Sequence, residues 1–277
     1  MLAGGPETTA LARDTVFAAV MIILNGIVGL CLVVGGVRFG EQSFGLHGVS
    51  ASLATLAAIV VFSLVLPNYT ATTPGPVYSA SQLGFIAVVS LGLYATFVLV
   101  QTVRHRDYFL AAAEPGGEES HAAPPSRRTT RASAGLLLAC LGAVVLLAKA
   151  LSPSIESAVA AAGAPKALVG VIIAAVVLLP EGVAAVRAAH ANRLQTSLNL
   201  ALGSALATIG LTIPTVALVS LAGGLTLTLG IEPMSTVLLV LSLFVSGLAL
   251  ATGRTTVLQG AVLLVIFATY LFTTVVP

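Results

Sequence analysis

The chain has 277 residues, of which 57% are hydrophobic and only 8% charged, and its mean hydropathy is +1.07. No ordinary water-soluble core has that composition, so this is a polytopic membrane protein. A net charge of +2, with no basic patch interleaved with aromatics, excludes nucleic acid as a partner.

Taken in chain order, Met1 to Arg13 is short, polar and glycine-bearing, without the basic region and apolar core of a signal peptide, and reads as a loop. Eight apolar runs follow, each long enough to cross about 30 Å of hydrocarbon. They lie near 14–37, 49–67, 80–102, 133–152, 165–188, 195–222, 233–251 and 256–275. Between the third and fourth, the acidic, basic, Pro and Gly residues of RHRDYFLAAAEPGGEESHAAPPSRRTTR predict a solvated linker. The chain therefore divides into three helices (1–102), a hydrophilic linker (103–132) and five helices (133–277). Cys31 and Cys140 sit inside apolar runs and are expected to be free and packed.

Five arginines, Arg104, Arg106, Arg127, Arg128 and Arg131, crowd the linker and mark the cytoplasmic side. Alternating eight spans from there brings Arg38, Arg187, Arg193 and Arg254 to the same side. Only Arg13, Lys149 and Lys166 fall outside, and both chain ends lie outside the cytoplasm.

The stretch from Leu179 to Pro214 carries the most chemistry. Pro180 removes a backbone donor, predicting a break or kink, and Glu181 stands at that point. A carboxylate at that depth costs at least about 2.5 kcal/mol, so it should face protein, water or an ion. Projected at about 100° per residue, the next helix gathers Thr196, Ser197, Asn199, Gly203, Ser204, Ala207, Thr208 and Gly210 on one half of its circumference. Small residues admit a close neighbour, while hydroxyls and amides supply oxygen ligands. Two readings follow: half of a cation site, or a tightly packed helix pair with Glu181 neutralised by a lysine such as Lys149.

Leu24, Asn25, Gly29, Leu32 and Gly36 repeat the spacing of Leu198, Asn199, Gly203, Leu206 and Gly210 after a shift of 174 residues. By the topology above, the first copy runs inward and the second outward, so the repeat is inverted, as in many secondary transporters. The same shift places Pro6 and Glu7 under Pro180 and Glu181. Glu7 has no apolar run before it to hold it at membrane depth, and the match is read as coincidence.

LPEGVAAVRAAHANRLQTSLNLALGSALATIGLTIP resembles the second signature repeat of bacterial cation/proton antiporters in the calcium/cation antiporter superfamily. The segments LARDTVFAAVMIILNGIVGL and GRTTVLQGAVLLVIFATYLFTTVVP resemble the same subgroup. The likeness implies an all-α inverted-repeat fold of five plus five helices, here about eight because Met1 falls after the first two. It implies Glu181 as the ion- and proton-binding carboxylate and metal ligand, with Asn199, Ser204 and Asn25 as further ligands. Gly203, Gly29 and the helix break at Pro180 would line the site.

The implied activity is exchange of Ca2+, or Na+ or K+, for H+ across the inner membrane by alternating access. No cofactor is expected, and no enzyme, since HExxH, GxxxxGK and paired-carboxylate patterns are lacking. The expected partners are the lipid bilayer, inorganic cations and protons, with a homo-oligomer left open. The alternative is an inactive or partner-dependent truncated fragment of such an antiporter. Among the remaining candidates, Lys149 is expected to snorkel to the interface. Glu156 is read as a loop or cavity-mouth charge, Asp14 with Arg13 as an interfacial pair, His190 as part of a cytoplasmic loop and Tyr270 as part of an aromatic belt.

Overall fold

The computed structural model describes residues 6–110 and 126–276, in nine α-helices and two very short strands. Helix α1 (Pro6–Met21) passes through a π-helical turn (Ile22–Ile27) into α2 (Val28–Phe39). Strand β1 (Gln42–Ser43), α3 (Leu46–Val60) with a π-helical extension (Val61–Val65), and α4 (Ala80–Leu99) follow. The second set comprises α5 (Arg127–Ala161), α6 (Ala167–His190), α7 (Leu194–Gly223), α8 (Pro233–Leu250), β2 (Arg254–Thr255) and α9 (Val257–Val275).

Seven helices among the described residues are long and apolar enough to cross a membrane. The first, Ala12–Phe39, is almost wholly enclosed, whereas each of the others keeps more than half of its most apolar window exposed. Leu136, Leu137, Leu146, Leu147, Val88, Val237 and Leu258 stand outward, as lipid-facing side chains should. The eighth predicted run, 133–152, lies inside α5.

Several boundaries move. The first helix starts at Pro6, so most of the stretch read as a loop is helical, although the side chain of Glu7 lies outside the described ones. Helix α5 begins at Arg127, taking the last six residues from the predicted linker, because Ser126 caps it by accepting from the Thr129 amide. It then runs through Pro153 to Ala161. Glu156 is therefore helical and exposed, accepting from Ser152 Oγ at 3.3 Å, while the side chain of Lys149 lies outside the described ones.

Helix α6 is likewise continuous through Pro180, so the predicted break is not there. Proline removes one backbone donor and crowds one carbonyl, and in an apolar segment the hydrogen bonds on either side carry the helix across the gap. Pro214 inside α7 makes the same point.

The inverted repeat is visible in four features. Asp14 and Thr15 stand beside Gly170, and Ile27 beside Gly182, so α1 and α6 run in the same direction. Helix α7 returns antiparallel to both after the turn at Asn192, whose φ of 59° is the left-handed conformation that asparagine tolerates.

Strand β1 pairs antiparallel with β2, joining the approaches to α3 and α9, while the bridge Val77↔Thr228 joins the approaches to α4 and α8 at the opposite end of α3. Exchanging the halves maps one pairing onto the other. Helices α4 and α9, which this exchange relates, both open with a capping box, Ser79 with Gln82 and Thr256 with Gln259.

Finally, a Cβ on Gly36 would meet Val257 N of α9 at 2.8 Å, and one on Gly210 would meet Tyr94 Cβ of α4 at 2.8 Å. Each glycine thus admits its partner helix, Gly36 at the first turn of α9 and Gly210 deeper along α4.

Candidate functional site

Three of the residues singled out by the sequence converge at one level of the bundle. Gly182 abuts Ile27, which sets Glu181 level with the π-helical turn holding Asn25. Cys31 lies beside the Ser197 hydroxyl. Counting outward along α7 from there while counting back along α2 brings Ser204 level with Leu24, because antiparallel helices share a rise of about 1.5 Å per residue. Glu181 from α6, Asn25 from the π-turn and Ser204 from α7 therefore occupy one layer.

Glu181 and Ser204 are half-buried and Asn25 is fully buried. Glu181 Oε2 is enclosed without a hydrogen-bond partner among the described residues. A buried carboxylate oxygen with no donor is costly unless a proton or cation is shared with it.

The helix that carries Asn25 has an irregularity that the sequence analysis did not expect, a π-helical turn, and further π-turns close α3 and α4. Such turns are uncommon and recur at functional sites. Here the Val28 amide closes on Ile23 O, and the wider turn points Asn25 at α8, where its Nδ2 donates to Ser242 Oγ at 2.8 Å. Asn25 Oδ1 has no partner among the described residues. The clue was the Asn-Gly pair within MIILNGIVG, since neither residue favours a helix interior.

Asn199 is placed differently. It lies five residues before Ser204, about 7.5 Å along the helix towards the linker end, and both ends of its amide are occupied. Its Oδ1 accepts from Gln195 Nε2 at 3.0 Å, and its Nδ2 donates to the backbone carbonyl of Phe109. Gln195 Oε1 in turn accepts from the Gly45 amide at 2.6 Å.

The start of the linker is thereby fastened to α7. Phe109 is buried edge-on to Phe97, and Tyr108 stacks between His47 and His105. Sequence reasoning missed this contact, and the aromatic pair inside RHRDYFL was its signal.

The two predicted lining glycines also part company. A Cβ on Gly203 would meet nothing within 4 Å, so it borders open space, whereas one on Gly29 would meet Leu263 Cβ at 3.0 Å and Gly260 O at 3.1 Å. Gly29 serves the close packing of α2 on α9. Pro180 is exposed at the outer face of α6.

At the end of the bundle away from the linker, a cavity of about 220 Å³ is lined by Arg13, Asp14, Glu232, Ser235, Thr273 and Thr274. Arg13 Nε donates to Asp14 Oδ1 at 2.8 Å and its Nη1 to Gly230 O at 3.1 Å, so the two residues pair as expected, but in the middle of α1 and not at a helix start. Tyr270 is buried beside this cavity, edge-on to Phe17 at 5.4 Å, and does not belong to an interfacial belt. His190, the last residue of α6, accepts from Arg38 Nη1 at 2.6 Å. Both cysteines are free, Cys31 buried as expected but Cys140 exposed on α5.

Among the described residues no three His, Cys, Asp or Glu side chains cluster as a metal site. The oxygens on offer are one carboxylate with amides and hydroxyls, a donor set suited to a hard cation in passage.

A model of the sodium/calcium exchanger protein family matches residues 1–103 and 132–276. The chain belongs to this family. Over 281 residues it is 52% identical to y4hA of Sinorhizobium fredii, a candidate ionic transporter by name, covering 100% of this chain and 75% of that one. Over 275 residues it is 34% identical to the sodium-potassium/proton antiporter ChaA of Escherichia coli, covering 99% of this chain and 74% of ChaA.

Among solved structures, native YfkE superposes with a TM-score of 0.74 at 18% identity, over 98% of this chain and 76% of that one. The H+/Ca2+ exchanger CAX superposes with a TM-score of 0.71 at 19% identity, over 98% of this chain and 67% of that one. These likenesses establish the fold of this family member as that of a multi-pass exchanger.

Proposed function

We propose that the protein is a secondary active antiporter of the inner membrane that exchanges Ca2+, Na+ or K+ for protons. The observation that carries this reading is the enclosed, unpartnered Oε2 of Glu181 at the level of the π-helical turn. A carboxylate there can hold either a proton or a cation, so the two ions compete for it. Movement of one ion inward then requires the other to leave, which is exchange by alternating access. Asn25 and Ser204 supply neutral oxygens in the same layer, and Asn199 one further inward. Gly203, next to Ser204 on α7, borders open space. The relatives named ionic transporter and sodium-potassium/proton antiporter support this reading.

The test is proton movement in proteoliposomes carrying a pH-sensitive dye, with each of the three cations added over a pH series. The wild-type chain should move protons on addition of at least one cation, Glu181→Gln should abolish this, and Glu181→Asp should retain a reduced rate. The reading is wrong if no cation moves protons, or if Glu181→Gln exchanges like the wild type.

A further inference from the structure

We propose that Ser242, on α8, is a positioning residue that fixes the orientation of the Asn25 amide, so that its oxygen and not its NH2 group is offered to the cation. The inference rests on the reading of Asn25 as a ligand in the antiport site.

A serine hydroxyl has one hydrogen, and Ser242 Oγ lies 2.7 Å from Leu238 O, one turn back along its own helix. With that hydrogen given to the carbonyl, the side of Oγ facing Asn25 carries only lone pairs. It accepts from Asn25 Nδ2 at 2.8 Å. The Met21 thioether, which can only accept, stands 3.8 Å from the same nitrogen and 3.5 Å from Ser242 Oγ, so whichever of the two acceptors takes the serine hydrogen, it does not point at Asn25.

Two acceptors therefore surround one end of the amide, and all three side chains are fully buried. Turning the amide over would set Oδ1 against both acceptors and bury an NH2 group where Oδ1 now sits. In the observed orientation Oδ1 is an uncommitted acceptor in the interior. A cation is attracted to that oxygen and repelled by an amide NH2.

Asn199, the repeat partner of Asn25, has its oxygen already taken by Gln195, so the two asparagines are not interchangeable. Ser242 also brings α8 into a site that the sequence pattern confined to α6, α7 and the first helix.

The experiment measures equilibrium dissociation constants of the full chain in detergent for Ca2+, Na+ and K+, with thermal melting alongside. Ser242→Ala should bind the preferred cation about fivefold more weakly, the size of one neutral hydrogen bond. Ser242→Thr, which keeps the hydroxyl, should bind within about twofold of wild type. Asn25→Ala should weaken binding, and adding Ser242→Ala to it should weaken it no further, because a residue acting through Asn25 has nothing left to act on.

Unchanged binding by Ser242→Ala overturns the inference, and so does a double variant weaker than Asn25→Ala by the full single-variant factor. If the wild type binds none of the three cations, or Glu181→Gln binds like wild type, the antiport reading falls and this inference with it. If Glu181→Gln loses binding while Ser242→Ala keeps it, the positioning role alone falls.

Discussion

Replacing Gly260 by alanine tests the packing that holds the first helix in place. A Cβ there would meet Gly29 O and Val33 N at 2.7 Å each, both backbone atoms of α2 that no rotamer change can move aside. Ordinary contact begins at 3.4 Å, so α2 and α9 must separate by about 0.7 Å locally. Overpacking of this kind costs about 1–3 kcal/mol. For a protein of this size that lowers the melting temperature by about 2–4 °C per kcal/mol.

Gly203→Ala is the matched control, because a Cβ there meets nothing within 4 Å. In a helix interior the change should stabilise by about 0.5–1 kcal/mol. The chain has no tryptophan, so unfolding is best followed by far-ultraviolet circular dichroism in detergent. Opposite signs for the two variants are expected. A Gly260→Ala variant that melts at or above the wild-type temperature would refute the close approach of α2 to α9, and with it the assignment of Gly29 to packing.

Two further predictions follow from polar groups. Burial pushes the Tyr78 phenol up to about 12 from its ordinary 10.0, and its hydroxyl donates to Phe62 O at 2.6 Å. Because the folded value is raised, this contribution is complete below pH 10 and is lost as pH rises through 12. Tyr78→Phe should therefore melt lower at neutral pH by the equivalent of about 1 kcal/mol, with a shallower alkaline fall, as read from melting temperature against pH. Gln195→Ala should lower the KM for the transported cation by up to about fivefold, by freeing Asn199 Oδ1 from its donor, and should lower stability by leaving the Gly45 amide without its acceptor.

The class of protein was legible from composition, and the inverted repeat from five matched positions, because lipid leaves few ways to satisfy a backbone and small residues mark close helix contacts. The location of Glu181 was legible for the same reason: an isolated carboxylate inside an apolar run has few explanations. The helix irregularity was not. Proline is a local signal and overstated the break at Pro180, whereas at Ile22–Ile27 the Asn-Gly pair marks a weak point in the helix and only the packing of Asn25 on α8 shows what the chain does there. The capping boxes at Ser79 and Thr256 were readable, being local S/T-x-x-Q patterns, and they relate α4 to α9 as firmly as the asparagines relate the first helix to α7. The fastening of Asn199 to Phe109 joins residues 90 positions apart, and only the fold brings them together.

The repeat is thus faithful in architecture and unequal in chemistry, and the inequality has a structural origin. Gly36 and Gly210, beyond the π-turn, admit equivalent helices at equivalent distances. Asn25 sits inside a π-turn, whereas Asn199 sits in the first turns of the regular helix α7. One asparagine then pairs with α8 through its nitrogen and keeps its oxygen free, while the other faces the inner end and spends both groups on Gln195 and Phe109. A cation reaching Asn25 displaces no protein donor, but one reaching Asn199 must first break the bond from Gln195. Under the antiport reading the layer of Glu181, Asn25 and Ser204 is therefore the resting place of the ion, and Asn199 is a further step on its way, open once the bond from Gln195 gives way.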